Sequence, residues 1–167
     1  LIYFRQKIDS FTETFEKCSV IVLLGENYSL LQKDAKKISD ALAGKNADEE
    51  MRVNKYFNQE INEKRNEIIT SLKTKSFFPG RQIILLNELN EKDYKFITEI
   101  DAEWKNDDAI TIVTMNALSK KSDVIKLFAS SNRIAVVNYT NSKIDADFFV
   151  KRLTDAGINF SGKEVLD

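Results

Sequence analysis

The segment GENYSLL, residues 25–31, follows an apolar run and stands where a phosphate-binding loop would stand in an α/β protein. Such a loop needs a second glycine, a lysine and a hydroxyl residue at fixed offsets, because its backbone N–H groups and the ammonium group together hold the phosphates. Leu30 and Leu31 occupy the glycine and lysine positions, and neither side chain can donate a hydrogen bond. We therefore expect no working phosphate site at this loop.

Two later strand ends carry polar residues that could serve the same chemistry. In P-loop ATPases, the strand corresponding to residues 82–86 usually presents an aspartate for Mg²⁺ and then a glutamate that orients water. Asn87 stands at the aspartate position and lacks the anionic oxygen that a hard cation prefers, although Glu88 could still act as a base. Thr114 and Asn116 follow the next strand, where a phosphate-sensing residue often lies. A divergent P-loop NTPase with Glu88 as its base therefore stays open as an alternative.

The absence of histidine narrows the possible chemistry further. The 167 residues include no histidine and a single cysteine, Cys18, which excludes nucleophiles activated by histidine and the usual zinc sites. Cys18 adjoins an apolar strand and is expected to pack there rather than react. We predict no catalytic residue, no metal site and no cofactor in this chain.

The charge balance gives no general attraction to nucleic acid or to anionic lipid. Basic residues number 25 and acidic residues 26, so the net charge is -1. A contact with a phosphate backbone through Lys120, Lys121 or Arg133 keeps a nucleic-acid-binding α/β domain as a second alternative. No apolar run approaches the ~20 residues that span a bilayer, no signal peptide is visible, and one cysteine fits a reduced setting. We therefore expect no membrane partner and a cytoplasmic location.

The elements that must position these residues alternate between strand-like and helical patterns. Continuous apolar runs separated by amphipathic stretches predict an α/β fold, with a mostly parallel five-stranded sheet and helices on both faces. An N-terminal helix is also predicted, from the spacing of Ile8, Phe11 and Phe15. The predicted strands are residues 20–24, 52–57, 82–86, 109–115 and 134–139, and the predicted helices are residues 28–42, 59–72, 94–100, 119–129 and 145–156.

The connection between the second long helix and the third strand contains the only proline of the chain and two adjacent phenylalanines, Phe77 and Phe78. One interpretation is structural, with one ring covering the sheet edge and the other the helix end. However, adjacent residues in a turn point in different directions, and Pro79-Gly80 forces the chain out of helix, so burying both rings is difficult. An exposed pair suits insertion into a partner's apolar pocket, where each ring could contribute about 1.5–3 kcal/mol.

Three segments of the chain, VIVLLGENYSLLQKDAKKI, SFFPGRQIILL and DDAITIVTMNALSKKSDVIKLF, resemble one known family, the delta subunit of the bacterial DNA polymerase III clamp loader. The first is similar to the family's first strand, its non-phosphate-binding loop and the following helix. The second is similar to the Ser-Leu-Phe-(small)-Gly-Arg-Arg/Gln segment and its strand, and is the most specific of the three. The third resembles an Asp-Asp pair, an apolar strand and a Leu-Ser/Lys-Lys segment. The resemblance covers nearly all of residues 1–160, about the first half of a delta subunit.

The resemblance implies an AAA+-type, P-loop-like domain over residues 1–160 that has lost nucleotide binding. It also implies a role in DNA replication, as a non-catalytic subunit of the DNA-directed DNA polymerase III complex that binds the ring-shaped sliding clamp (beta) and opens one ring interface. Matched residue by residue, Phe77 stands at the family's leucine and Phe78 at its phenylalanine, with Ser76 and Lys75 beside them. These four residues are the predicted sliding-clamp-binding site. Phenylalanine at position 77 and Pro79, in place of a small residue, depart from the family pattern.

The same resemblance implies further partners and a further domain. Other clamp-loader subunits (delta-prime and gamma/tau) would bind mainly through a C-terminal part, and primed DNA would be contacted indirectly. Ser161 with Glu164 forms a capping-box pattern, so we expect residues 161–167 to be the start of a following helical domain that is truncated.

Overall fold

The computed structural model describes residues 2–4, 12–116, 118 and 123–139. Six strands of the described part form one sheet, ordered β1-β6-β2-β5-β4-β3 with every neighbouring pair parallel. The strands are β1 (Ile2–Phe4), β2 (Val20–Leu24), β3 (Val53–Phe57), β4 (Ile83–Leu89), β5 (Ile110–Met115) and β6 (Ile134–Asn138). The helices are α1 (Thr12–Phe15), α2 (Tyr28–Ala43), α3 (Asn58–Lys73), α4 (Tyr94–Glu103), preceded by a 3-10 turn at Glu91–Asp93, and α5 (Val124–Ser130).

The predicted fold class, a parallel α/β sheet, is confirmed, but the prediction of five strands is one short. The sixth strand, β1, pairs with β6 at the sheet edge, with Ile2 opposite Val136. Three residues are too few to show strand periodicity, so this strand is defined only by its neighbour. Of the predicted N-terminal helix, the structure describes α1, whereas Ile8 and Phe11 lie outside the described residues.

The other predicted elements match closely, but β4 and α4 each extend three residues beyond the predicted end, and three predicted parts lie outside the described residues. Strand β4 continues beyond the predicted end at residue 86, because Asn87 and Leu89 remain buried. The pairing of β4 with β5 shifts register between Leu86 and Leu89, which marks a bulge. The start of the helix predicted at 119–129, the helix at 145–156 and residues 161–167 lie largely or wholly outside the described part of the chain.

Both faces of the sheet are covered, which explains why β2 reads as an unbroken apolar run. Alternate residues of β2 point to opposite faces. On one face, Val20, Val22 and Leu24 join a cluster with side chains of α3, α4 and α5. On the other face, Ile21 and Leu23 join a cluster with side chains of α1 and α2. This two-sided packing fixes the positions of the strand ends. The side of the sheet where the parallel strands begin is its amino-terminal edge, and the side where they end is its carboxyl-terminal edge.

Cys18 belongs to the second cluster and is 1% exposed. Its thiol lies 3.4 Å from the Thr14 carbonyl oxygen, to which it donates. Burial raises the pKa of the Cys18 thiol to about 11, so the thiolate needed for reaction is scarce at neutral pH. The expectation that Cys18 packs rather than reacts therefore agrees with its position. Among the described helices, none has the length and apolar character needed to cross a membrane.

Candidate protein-binding turn

The turn between α3 and β4 presents two phenylalanine rings to solvent. Phe77 is 98% exposed and Phe78 is 43% exposed. The rings meet edge to face, with their centroids 6.1 Å apart and their planes at 83°, so one ring supports the other. The turn precedes β4 and therefore lies at the amino-terminal edge of the parallel sheet. The alternative interpretation, in which one ring covers the sheet edge and the other the helix end, does not fit the structure, because both rings lie at the surface.

Polar groups inside the turn define its shape. The Ser76 hydroxyl oxygen accepts a hydrogen bond of 3.1 Å from the Phe78 N–H. The Gln82 side-chain amide, oriented with its oxygen toward Ser76, accepts the Ser76 N–H at 3.1 Å and donates to the Thr74 carbonyl. Ser76 thus acts on both sides of Phe77, and its position in the predicted binding site has a structural explanation within the chain itself.

Two basic side chains tie the turn to the loop that precedes β5. The Lys75 ammonium group donates to the Asp107 carbonyl oxygen at 2.7 Å. The Arg81 Nη1 atom donates to the carbonyl oxygens of Asn106 and Asp108 at 2.9 and 3.1 Å. Both cations bind backbone oxygens of the same loop, one from each side of the phenylalanine pair. They fix the base of the turn while its tip stays exposed.

The helix that leads into the turn is anchored to the same loop. The Lys73 ammonium group lies 3.0 Å from Asp108 Oδ2, and the Asp108 side chain is only 9% exposed. The Ala109 N–H donates to the Leu72 carbonyl at 3.0 Å, and the Lys105 N–H donates to the Asp108 carboxylate at 2.8 Å. The last turn of α3 and the start of β5 therefore form one hydrogen-bonded unit beneath the turn.

Gly80 is required at the far side of the turn for two reasons. Its φ of +123° lies in a region that other residues rarely adopt. A Cβ atom at Gly80 would also lie 2.8 Å from Nη1 of Arg52. Arg52 as a whole is 5% exposed. Its Nη1 donates to the Ala43 and Arg81 carbonyls at 2.8 and 2.9 Å, and its Nε donates to Glu50 at 2.8 Å.

Three residues hold the turn through contacts that were not predicted from the sequence: Arg52, Gln82 and Asp108. The Arg52 guanidinium reaches Gly80 from a different loop, and nothing in the local pattern around residue 52 indicates that contact. Asp108 belongs to a segment that carries the family resemblance, yet its ion pair with Lys73 depends on how α3 meets β5. Gln82, directly after the turn, also lies in a segment that carries the family resemblance.

The opposite, carboxyl-terminal edge of the sheet contains the loop that resembles a phosphate-binding loop. Side chains from other parts of the chain pack against this loop. A Cβ atom at Gly25 would lie 2.9 Å from Cβ of Tyr139 and 3.3 Å from a methyl group of Leu31. The Tyr139 hydroxyl donates to Asp34 at 2.9 Å in a buried contact. These side chains pack directly against the loop at Gly25.

The backbone donors at the start of α2 are also satisfied within the chain. The Asn27 side-chain oxygen accepts the Leu30 N–H at 3.1 Å, and the Asn27 carbonyl accepts the Leu31 N–H at 3.0 Å. In a working loop these N–H groups would point at phosphate oxygens. Their internal bonding supports the expectation that the loop binds no phosphate.

The Asn87 side chain and the Glu88 backbone N–H both form hydrogen bonds within the chain. Asn87 is 8% exposed, and its amide nitrogen lies 3.4 Å from the Tyr56 carbonyl, to which it donates. Glu88 has φ of +64°, and its N–H donates to the buried Thr114 hydroxyl at 3.0 Å. The described residues contain no group of three or more His, Cys, Asp or Glu side chains that could hold a metal ion. The geometry gives Glu88 neither a metal nor a phosphate site to serve.

We expect Mg²⁺-ATP to leave the thermal stability of this chain unchanged. A ligand that binds the folded state at a concentration 100 times its Kd would stabilise it by about 2.7 kcal/mol, whereas a filled loop offers no site. Thermal unfolding monitored with and without about 5 mM nucleotide tests this expectation. A rise in Tm that saturates with ATP would support the alternative of a divergent P-loop NTPase.

Arg133, one of the three residues that could contact nucleic acid, interacts with Asp101 within the chain. Arg133 donates from Nη2 to the Asp101 carbonyl at 2.8 Å, and its Nε lies 3.2 Å from the Asp101 carboxylate. Lys120 and Lys121 lie outside the described residues. The structure therefore adds no support for a phosphate-backbone contact at Arg133.

Comparisons with known proteins give one family match and similarities to solved structures. A model of the family described as DNA polymerase III, delta subunit, matches residues 21–140. The DNA clamp loader delta protein of Bacillus subtilis has a similar structure, with a TM-score of 0.59 at 13% identity over 90% of this chain and 47% of that chain. A DNA polymerase III gamma subunit-related protein of Thermotoga maritima gives 0.52 at 11% identity over 90% of this chain and 51% of that chain. At such identities the solved structures establish a shared fold, and this chain spans about half of each. No curated protein sequence matches the chain.

Proposed function

Because the chain belongs to the DNA polymerase III delta subunit family, we propose that it is the part of a clamp-loader subunit that binds the sliding clamp and opens one interface of the ring. The observation that carries this proposal is the exposure of Phe77 and Phe78 on a braced turn. Exposed apolar side chains that lie together mark contacts with other proteins more often than isolated ones do. The resemblance of this turn to the family's clamp-binding segment supports the proposal.

The proposed contact works by burial of apolar surface and by rigidity. Each ring would contribute about 1.5–3 kcal/mol when it enters an apolar pocket of the clamp. Because Ser76, Gln82 and the cations on either side of the pair fix the turn, little conformational entropy is lost on binding. A rigid projection can favour the clamp conformation that fits it, and in this proposal that conformation has one interface opened.

Within this proposal, Lys75 and Ser76 chiefly shape the turn. Their polar atoms already bind Asp107 and the Phe78 N–H, so their contribution to the clamp contact is positioning of the rings. Phe77 replaces the family's leucine, and its larger flat ring requires a pocket of matching width. An open cavity of about 410 Å³ adjoins Phe78 on the side of Arg81 and Gln82, which leaves room for a partner loop beside the pair.

We further propose that residues 1–160 form one AAA+-like domain of a longer subunit, followed by a helical domain from residue 161. In that arrangement the remainder of the subunit would hold neighbouring clamp-loader subunits, delta-prime and gamma/tau, and primed DNA would be contacted through the whole complex. Chemistry would belong to the neighbours, since the loop above Gly25 is filled by Tyr139 and Leu31. The working location would be the cytoplasm, where bacterial DNA is replicated.

Opening of the ring is tested with a cognate clamp labelled on both sides of one interface by a fluorophore that is quenched when the interface is closed. Addition of this chain is expected to raise fluorescence in a saturable way. A variant with Phe77→Ala and Phe78→Ala is expected to give no rise at the same concentration. Tight binding without a change in fluorescence would contradict ring opening and leave clamp binding intact.

A further inference from the structure

A second surface site lies at the carboxyl-terminal edge of the sheet, away from the phenylalanine turn. It is a cavity of about 330 Å³, bounded by the starts of α2 and α3 and by the segments that follow β4 and β5. Ligands of parallel α/β sheets usually bind at this edge. The cavity is lined by Tyr28, Phe57, Asn58, Gln59, Glu88, Asn90 and Asn116.

Glu88 is held in this cavity by backbone geometry that costs energy. Its φ of +64° is uncommon for a residue other than glycine, and the buried hydroxyl of Thr114 accepts its N–H at 3.0 Å. The bulge between Leu86 and Leu89 places this residue out of the regular strand. Strained residues of this kind are concentrated at binding sites. The Glu88 carboxylate has no ion pair or hydrogen bond among the described residues, so its charge is available to a ligand.

The rest of the lining favours a cation over an anion. None of the cavity's described lining residues is basic, and two of them, Tyr28 and Phe57, are aromatic, with Phe57 45% exposed. Aromatic faces attract cations through their ring electrons. The Asn116 amide nitrogen donates to Asn90 Oδ1 at 3.3 Å, which leaves the Asn116 oxygen as a further acceptor. Proximity to the Glu88 charge contributes, after burial, to the raised pKa of the Tyr28 hydroxyl.

The positive ends of α2 and α3 both border the cavity, and a helix N-terminus by itself favours an anion. At α2, the Asn27 side-chain oxygen already accepts the Leu30 N–H at 3.1 Å. At α3, the Glu60 carboxylate accepts the Phe57 N–H at 3.1 Å, and Lys64 pairs with Glu60 at 2.7 Å. Among the described lining residues, Glu88 is the one that carries a formal charge.

We propose that this cavity binds the guanidinium group of an arginine side chain that a partner protein presents. A guanidinium is planar, stacks on aromatic rings and donates two parallel hydrogen bonds to a carboxylate. Those properties match a lining of Tyr28 and Phe57, the Glu88 carboxylate and side-chain amide oxygens. The site is separate from the phenylalanine turn, and its occupation does not depend on clamp binding.

The test is an NMR titration of the ¹⁵N-labelled chain with N-acetyl-arginine amide. Saturable shifts are expected at the amides of residues 28, 57, 88 and 116. N-acetyl-citrulline amide, which has the same shape without the charge, should bind about tenfold more weakly or worse. A Glu88→Gln variant should weaken arginine amide binding by a similar factor, since it keeps the side-chain size and removes the charge.

The matched control is Glu26→Gln, which removes an exposed carboxylate from the same edge of the sheet but outside the cavity lining. It should leave the affinity unchanged, and the spectrum of each variant reports that the fold is kept. Equal binding of the citrulline compound, an unchanged affinity in Glu88→Gln, tighter binding of adenosine than of arginine amide, or no saturable shift would each overturn the proposal.

Discussion

Replacing both phenylalanines, Phe77→Ala and Phe78→Ala, is expected to weaken binding to the cognate sliding clamp by about thirtyfold or more, equivalent to about 2 kcal/mol. The physical reason is the loss of two rings whose burial in a partner pocket would supply most of the contact energy. Because the rings are 98% and 43% exposed, the change should hardly affect the free energy of unfolding. Surface plasmon resonance with immobilised clamp measures the affinity.

Met51→Ala is the matched control for this double variant. Met51 is 78% exposed and lies outside the turn, so its truncation removes a comparable exposed apolar group without touching the proposed contact. It should bind the clamp as the parent does. The single variants will show whether the more exposed Phe77 or the half-exposed Phe78 contributes more. Parent-like affinity in a folded double variant would remove the turn as the clamp contact.

Arg52→Met is expected to lower the free energy of unfolding by about 2–3 kcal/mol. Methionine keeps much of the side-chain volume but leaves the carbonyl oxygens of Ala43 and Arg81 without their donor. It also removes the partner of Glu50, whose side chain is 31% exposed; this partial exposure keeps the expected loss below that of a fully buried ion pair. Urea unfolding followed by circular dichroism measures the change.

Arg65→Met provides the comparison for this prediction. The Arg65 guanidinium pairs with Glu99 and lies over the Phe96 ring, but its side chain is 43% exposed. Solvent screens such a pair, and methionine can keep the contact with the ring, so the loss should stay below about 1 kcal/mol. Arg52→Met should also reduce clamp affinity, since Gly80 and Arg81 lose their support. Equal stability of the two variants would show that the buried guanidinium does not hold the turn.

The two edges of the sheet serve different purposes in this interpretation. At the amino-terminal edge, the hydrogen-bonded loops around Asp108 and Arg52 hold a turn whose apolar tip has no partner within the described chain. At the carboxyl-terminal edge, Tyr139 packs against the loop that resembles a phosphate-binding loop. In our proposal, the amino-terminal edge is the one that presents a protein-binding turn.

Local patterns were sufficient to predict most of the strands and helices. The β2 run is apolar at every position because both faces of the sheet are covered, and that pattern needs no tertiary information to be recognised. The side chains of Leu30 and Leu31 cannot donate a hydrogen bond to a phosphate in any fold. Helix α3 ends at Lys73, and Pro79-Gly80 prevents helix further on, so the sequence predicted a turn that carries the phenylalanine pair.

Contacts between distant parts of the chain were decided only by the tertiary structure. Strand β1 is recognisable through its pairing with β6, because three residues have no periodicity of their own. The approach of Arg52 to Gly80 joins segments that are far apart in sequence, and the strained backbone at Glu88 follows from a bulge in β4. Short-range residue patterns record periodicity and local chain direction. They do not record which loops meet, and here the meeting of loops determines the shape of the turn and the charge of the second cavity.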